Sequence, residues 1–195
     1  MSLVFEKNKD VNLIVEQGNS STKVAVVKDW KVVASFVYRV FNKDVLASLF
    51  RSYPLDKGIF STVTAVDEDV VAYLESHLSR FVFFDSQVKL PIAIEYKTPA
   101  TLGKDRIAAV VGAYHYQPGR NLLVIDAGTC ITYEVVEAAG RYIGGNISPG
   151  MTTRFKALEH YTSKLPYVEE TDDVPCIGQS TEEAIQAGVV NGIVY

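Results

Sequence analysis

Apolar and polar positions set out the first half of the chain before any chemistry is considered. Residues 11–16 form an apolar strand-like run, and 23–28 and 31–38 alternate in β-branched and aromatic residues. KDVLASLFRSY, 43–53, spaces its apolar residues by three and four, as one face of a short helix does. GIFSTV (58–63) predicts a strand. Residues 67–79 predict a helix with acids in its first turn, where they favour the macrodipole, and RFVFFD (80–85) predicts another strand. The expected order is three strands, helix, strand, helix, strand.

The pattern then restarts. LIVEQGNSSTK at 13–23 resembles LVIDAGTCITY at 123–133: Leu13 matches Leu123, Glu16 matches Asp126, Gly18 matches Gly128 and Thr22 matches Thr132, without a gap. A hairpin unit used twice predicts two similar α/β lobes, assigned to residues 1–99 and 100–195, each opened by a β-hairpin. In the second lobe the hairpin spans 121–137, a third strand lies near 141–148, and helices lie near 150–163 and 180–195. A further strand-helix pair is missing from that lobe, and the last residues are the apolar run GVVNGIVY. A C-terminal segment beyond it is therefore expected.

Composition narrows the class. In 195 residues, 48% are apolar, enough to bury a substantial core. A net charge of -4 gives no basic footprint for nucleic acid. No apolar run reaches the roughly 18 residues of a membrane span, and MSLVFEKNKD has no signal-peptide core. The two cysteines, Cys130 and Cys176, lack metal-ligand spacing, and the three histidines are isolated. The expectation is a soluble, reduced, cytoplasmic protein.

The hairpins carry the candidate chemistry. A turn such as GNSST offers backbone N–H groups and hydroxyls to phosphate oxygens, and Lys23 is within reach as a point charge. An acid beside such a turn repels phosphate unless a cation lies between. Glu16 and Asp126 therefore fit the handling of metal-bound phosphates, directly or through water. An acid that ends a strand before glycine also serves simply as a turn former. Two facing hairpins would hold a nucleoside triphosphate in the cleft between the lobes.

This arrangement resembles the acetate kinase, sugar kinase, Hsp70 and actin superfamily, whose fold pairs two duplicated actin-like (ribonuclease H-like) α/β lobes about a nucleotide cleft. The ordered strings TPATLGKDR, DAGTCITYEVV, YIGGNISPGM, LEHYTSKLP and IGQSTEEAIQAGVVNG look like type III pantothenate kinase. That family phosphorylates pantothenate with ATP at the start of coenzyme A synthesis. The resemblance implies that Glu16, Gln17, Gly18, Asn19, Ser20, Ser21, Thr22 and Lys23 hold the ATP phosphates, with Thr129 a further ATP contact. It implies a K⁺ (or NH₄⁺) ligand at Asp126 and Mg²⁺ with the nucleotide. It makes Gly103, Lys104, Asp105 and Arg106 the substrate loop, with Asp105 as general base and Arg106 facing an anion, the pantothenate carboxylate or a phosphate. Tyr96 becomes a substrate contact, and Thr181 a residue closing over pantothenate from the neighbouring subunit of a homodimer.

Read locally, Asp105 also suits the start of the helix-like run IAAVVGAYH, and Thr181 the N-cap or first turn of TEEAIQAG. The family usually has Asp where this chain has Glu16. Two other functions fit the fold: a non-catalytic ligand-binding regulator, and a kinase for another small hydroxyl compound.

Overall fold

The computed structural model describes residues 11–194. The opening MSLVFEKNKD and Tyr195 lie outside the described residues. The chain divides into two compact units, the first ending at Lys89 and the second beginning at Leu90.

In the first unit, β1 (Val11–Gln17), β2 (Thr22–Lys28) and β3 (Lys31–Tyr38) form an antiparallel meander. Asp29 and Trp30 turn β2 into β3 with φ of 48° and 64°, the left-handed pair that a two-residue hairpin needs. Helix α1 (Lys43–Ser52) leads to β4 (Leu55–Thr62), and α2 (Glu68–His77) to β5 (Arg80–Phe83). Both β4 and β5 join in parallel, giving the order β3-β2-β1-β4-β5. The Asn42 side chain accepts from the N–H groups of Asp44 and Val45, both at 3.1 Å, and Asp67 caps α2 in the same way. Strand alternation places Leu13, Val15, Val24 and Val26 on the face packed against Leu46 and Leu74 of these helices. Glu16 and Ile14 point to the opposite face. Leu46 has no exposed surface, and truncating such a leucine to alanine costs about 2–5 kcal/mol.

In the second unit, β6 (Ala93–Ile94), α3 (Lys104–Tyr116), β7 (Leu122–Ala127), β8 (Cys130–Glu137) and β9 (Arg141–Pro149) precede α4 (Met151–Tyr161) and α5 (Thr181–Val194). The sheet order is β6-β9-β8-β7. The unit boundary falls earlier than the division at 99/100 read from the sequence. The reason is β6, which pairs in parallel with β9, while Ile92 is buried in the core formed with Val110, Val136 and Tyr142. A separate core of Phe155, Val168, Ile185 and Val189 joins α4 to α5. Among the described residues, no helix is long and apolar enough to cross a membrane.

The two hairpins do not superpose in the gapless way their sequences align. Four residues separate β1 from β2, and two separate β7 from β8. Glu16 pairs with Lys23, but Asp126 pairs with Thr132 rather than with the next residue. The second strand of the second hairpin is slipped by one residue, and such a slip exchanges the two faces. Thr22 therefore lies buried on the helix-packed core face of its sheet, on the side away from Glu16, whereas Thr132 shares the face of Asp126.

Candidate active site

In the first unit the phosphate-type hairpin is built at the end of β1. The Gly18 N–H donates to the Ser21 carbonyl at 2.9 Å, which closes the turn and leaves Asn19 and Ser20 exposed at its tip. Lys23 is the second residue of β2 instead of lying in the turn. Its Nζ stands 3.7 Å from Glu16 Oε2, and both side chains are exposed. A pair so exposed is worth about 0–1 kcal/mol, so it holds Lys23 only weakly. Gln17 turns inward with Thr22 and Thr62 as its cross-strand neighbours, and its buried Oε1 has no hydrogen-bond partner among the described residues. Gln17 and Thr22 thus place their side chains under the turn, not on it.

In the second unit the residues expected to form the substrate loop open α3. Asp105 lies in the first turn, exposed, with Oδ1 accepting the Arg106 N–H at 2.8 Å. Arg106 points inward. Its Nε and Nη2 meet the two oxygens of Glu134 at 2.5 and 2.8 Å, and Nη2 also donates to the Tyr142 hydroxyl at 2.9 Å. The Tyr142 O–H donates to Glu134 Oε2 at 2.6 Å. Arg106 Cζ lies 5.6 Å from the centre of the Tyr96 ring, so the tyrosine and the arginine expected to contact substrate are neighbours. Glu134 and Tyr142 have no exposed surface at all.

Local backbone features make room for this cluster. β9 bulges between its pairings with Val135 and Val136, at Gly144, whose φ of 126° suits glycine. The bulge brings Tyr142 opposite Val136, on the face that carries Glu134. Gly145 sits opposite Glu134, and a Cβ there would stand 2.3 Å from Glu134 Oε2.

The electrostatics follow from the pairing. The hydrogen bond to Glu134 holds the Arg106 guanidinium above its ordinary range despite burial. Burial pushes the Glu134 carboxyl up, but hydrogen bonds from Arg106, Tyr142 and Thr132 outweigh it and hold the group below the usual carboxylate range. Tyr142 is raised, by burial first and by the neighbouring Glu134 carboxylate next.

Asp126 is exposed at the end of β7, two pairs beyond Val124–Glu134 and hence on the same face as that cluster. The adjoining turn is tied to α4: the Thr129 carbonyl accepts from the Gly150 N–H at 3.0 Å and from the Thr153 hydroxyl at 2.7 Å. The second unit thus brings Tyr96, Arg106 and Asp126 to one sheet face, beneath the helix that Asp105 opens. Thr181 stands apart, on the rim of an apolar hollow of about 820 Å³ between α4 and α5. It is not the cap of its helix. Ser180 Oγ accepts the Glu183 N–H, and Glu183 accepts in return from the Gln179 N–H.

No cluster of three or more His, Cys, Asp or Glu side chains fit for a metal occurs among the described residues. Single, exposed carboxylates at Glu16 and Asp126 fit ions that keep their waters and bind mainly through substrate phosphates.

Glu134 was missed in the sequence. Its signal was an acid in mid-strand, at an apolar position of TYEVV, which calls for a buried cationic partner.

The family model of type III pantothenate kinase matches residues 12–195. The type III pantothenate kinase of Phocaeicola vulgatus is 44% identical over 95% of this chain and 76% of its own length. The corresponding protein of Porphyromonas gingivalis strain W83 is 44% identical over 93% and 75%. Among solved structures, a Baf family protein of Campylobacter jejuni covers 93% of this chain and 75% of its own at 21% identity and a TM-score of 0.47. Matched by the family model over residues 12–195 and 44% identical to a curated relative, the chain belongs to the type III pantothenate kinases.

Proposed function

We propose that this protein transfers the γ-phosphoryl group of ATP to the primary hydroxyl of pantothenate, giving 4'-phosphopantothenate and ADP in the cytoplasm as the first step of coenzyme A biosynthesis. The observation that carries the reading is the family match across residues 12–195. The placement of Asp105 at the exposed start of α3, beside buried Arg106 and Tyr96, agrees with it.

Asp105 orients the pantothenate hydroxyl and takes its proton as the new oxygen–phosphorus bond forms. The bond to the bridging oxygen of ADP breaks, and its electrons leave with ADP. A loose phosphoryl transition state asks for alignment more than for a strong base, so an ordinary carboxylate suffices. Tyr96 and Arg106 seat the anionic end of pantothenate, with Gly103 and Lys104 completing the loop. Asn19, Ser20 and Ser21 offer the first hairpin's polar groups to the phosphates, and Lys23 leaves its weak pair with Glu16 to join them. Thr129 contacts the nucleotide from the second hairpin. Mg²⁺ near Glu16 and K⁺ near Asp126 would neutralise phosphate charge. The active unit is a homodimer in which Thr181 closes the partner's site.

A coupled ADP-release assay with pantothenate and a panel of sugars tests the reading. Turnover on pantothenate is expected. Asp105→Asn, which keeps shape and loses the proton acceptor, abolishes that turnover in a folded protein. Retention of more than about a tenth of kcat rejects Asp105 as the base, since loss of a general base costs about a hundredfold or more.

A further inference from the structure

Arg106 has five N–H donors; Glu134 and Tyr142 take three of them, and Tyr96 is a further hydrogen-bonding neighbour. Nε and Nη2 meet Glu134 in a fork, and Nη2 also serves Tyr142. The two Nη1 donors are the ones that neither Glu134 nor Tyr142 engages. The guanidinium plane is therefore fixed from behind, with the Tyr96 ring beside it at 5.6 Å. The support is rigid in its own right: Glu134 is fully buried, locked by the Tyr142 hydroxyl at 2.6 Å, and the bare backbone of Gly145 leaves space for its carboxylate.

We infer that Glu134, braced by Tyr142, is a positioning residue that sets the specificity of this site for an acidic substrate. It holds Arg106 so that one edge of the guanidinium, next to Tyr96, meets the substrate carboxylate. The inference rests on the pantothenate kinase reading above. Because Glu134 already balances the charge of Arg106, the site recognises its anion by the placement of one edge, not by a bare buried cation.

The test uses Glu134→Asp, which keeps the charge and withdraws the carboxylate by one methylene, in the full chain. Misplacing a binding group by about 1 Å costs up to about a hundredfold. The expected result is a rise of about tenfold in KM for pantothenate, with KM for ATP within about twofold. Pantothenyl alcohol, which replaces the carboxylate by a neutral hydroxyl group, should be used by the variant and the unmodified protein within about twofold of each other. A purely structural role moves all three together, and that result overturns the inference, as does an unchanged pantothenate KM. If Glu134→Asp lacks a cooperative melt, Tyr142→Phe carries the test. It removes one brace and keeps the ring, and should raise the pantothenate KM about threefold, with no change there overturning the inference. Turnover of pantothenate by the unmodified chain with no shift in either variant rejects Glu134 alone. Absence of that turnover rejects the kinase reading and this inference together.

Discussion

Replacing Arg106 by methionine should destabilise the second unit by about 3–5 kcal/mol at pH 7, the usual cost of leaving one member of a buried ion pair unpartnered. The structure sets that magnitude. The side chains of Arg106 and Glu134 are 8% and 1% exposed, so water cannot replace the lost donors. Glu134 would keep the Tyr142 hydroxyl at 2.6 Å but lose both guanidinium contacts. The pH dependence should change as well. In the unmodified protein the carboxyl sits below its ordinary value, so its stabilisation is complete above the unfolded pKa near 4.5 and is lost as pH falls through the lower folded value. In Arg106→Met both lowering contributions of the guanidinium are gone while burial still raises the carboxyl, so its value moves up. Its penalty is then relieved as pH falls, and the stability gap between the two proteins narrows. Adding Glu134→Leu and Tyr142→Phe removes the stranded polar groups and should recover all but about 1–2 kcal/mol. Amide hydrogen exchange in β8 and β9 is the assay, because the single tryptophan, Trp30, lies in the first unit. A loss below about 1 kcal/mol at pH 7, or a gap that widens toward acid, would refute the reasoning.

Three further outcomes are expected. Turnover should depend on K⁺ or NH₄⁺, and Asp126→Ala should remove that dependence with most of the activity; equal rates in Na⁺ and K⁺ at matched ionic strength count against the cation role. Glu16→Asp should be nearly silent and Glu16→Ala should chiefly raise KM for MgATP, because a bridging water absorbs the extra methylene; a large rate gain in Glu16→Asp would show that the longer acid impairs the kinase. Gly145→Ala should destabilise the second unit by about 1–3 kcal/mol, since the new methyl meets the Tyr133 carbonyl and the Glu134 carboxylate; a melting temperature unchanged within about 2 °C would mean β9 yields there.

Most elements were legible because periodicity is a local signal. The alternation in 11–38 and the three-four spacing in 43–53 correspond to strands β1–β3 and helix α1. β6 was not legible: two residues carry no period, and Ala93 and Ile94 become a strand only through pairing with the distant β9. The inward turn of Arg106 was hidden for a similar reason. GKDR shows a cation beside an acid, whereas the partner that fixes its direction lies 28 residues on, in strand β8. The gapless match between hairpins also misled at Thr22, because side-chain facing depends on turn length, which residue-by-residue alignment does not weigh.

The one-residue slip between the hairpins has a consequence for engineering. The two halves look like exchangeable modules, but a chimera carrying β1–β2 in place of β7–β8, residue for residue, would put Val24 where Glu134 stands and aim it at the wrong side of the sheet. Arg106 would lose its counter-ion, and the surrounding strands would have to shift to close the gap. A working exchange must shorten the transplanted turn by an odd number of residues. A change of one residue in the length of an exposed turn is thus enough to exchange the sheet faces on which two hairpins of matching sequence present their side chains.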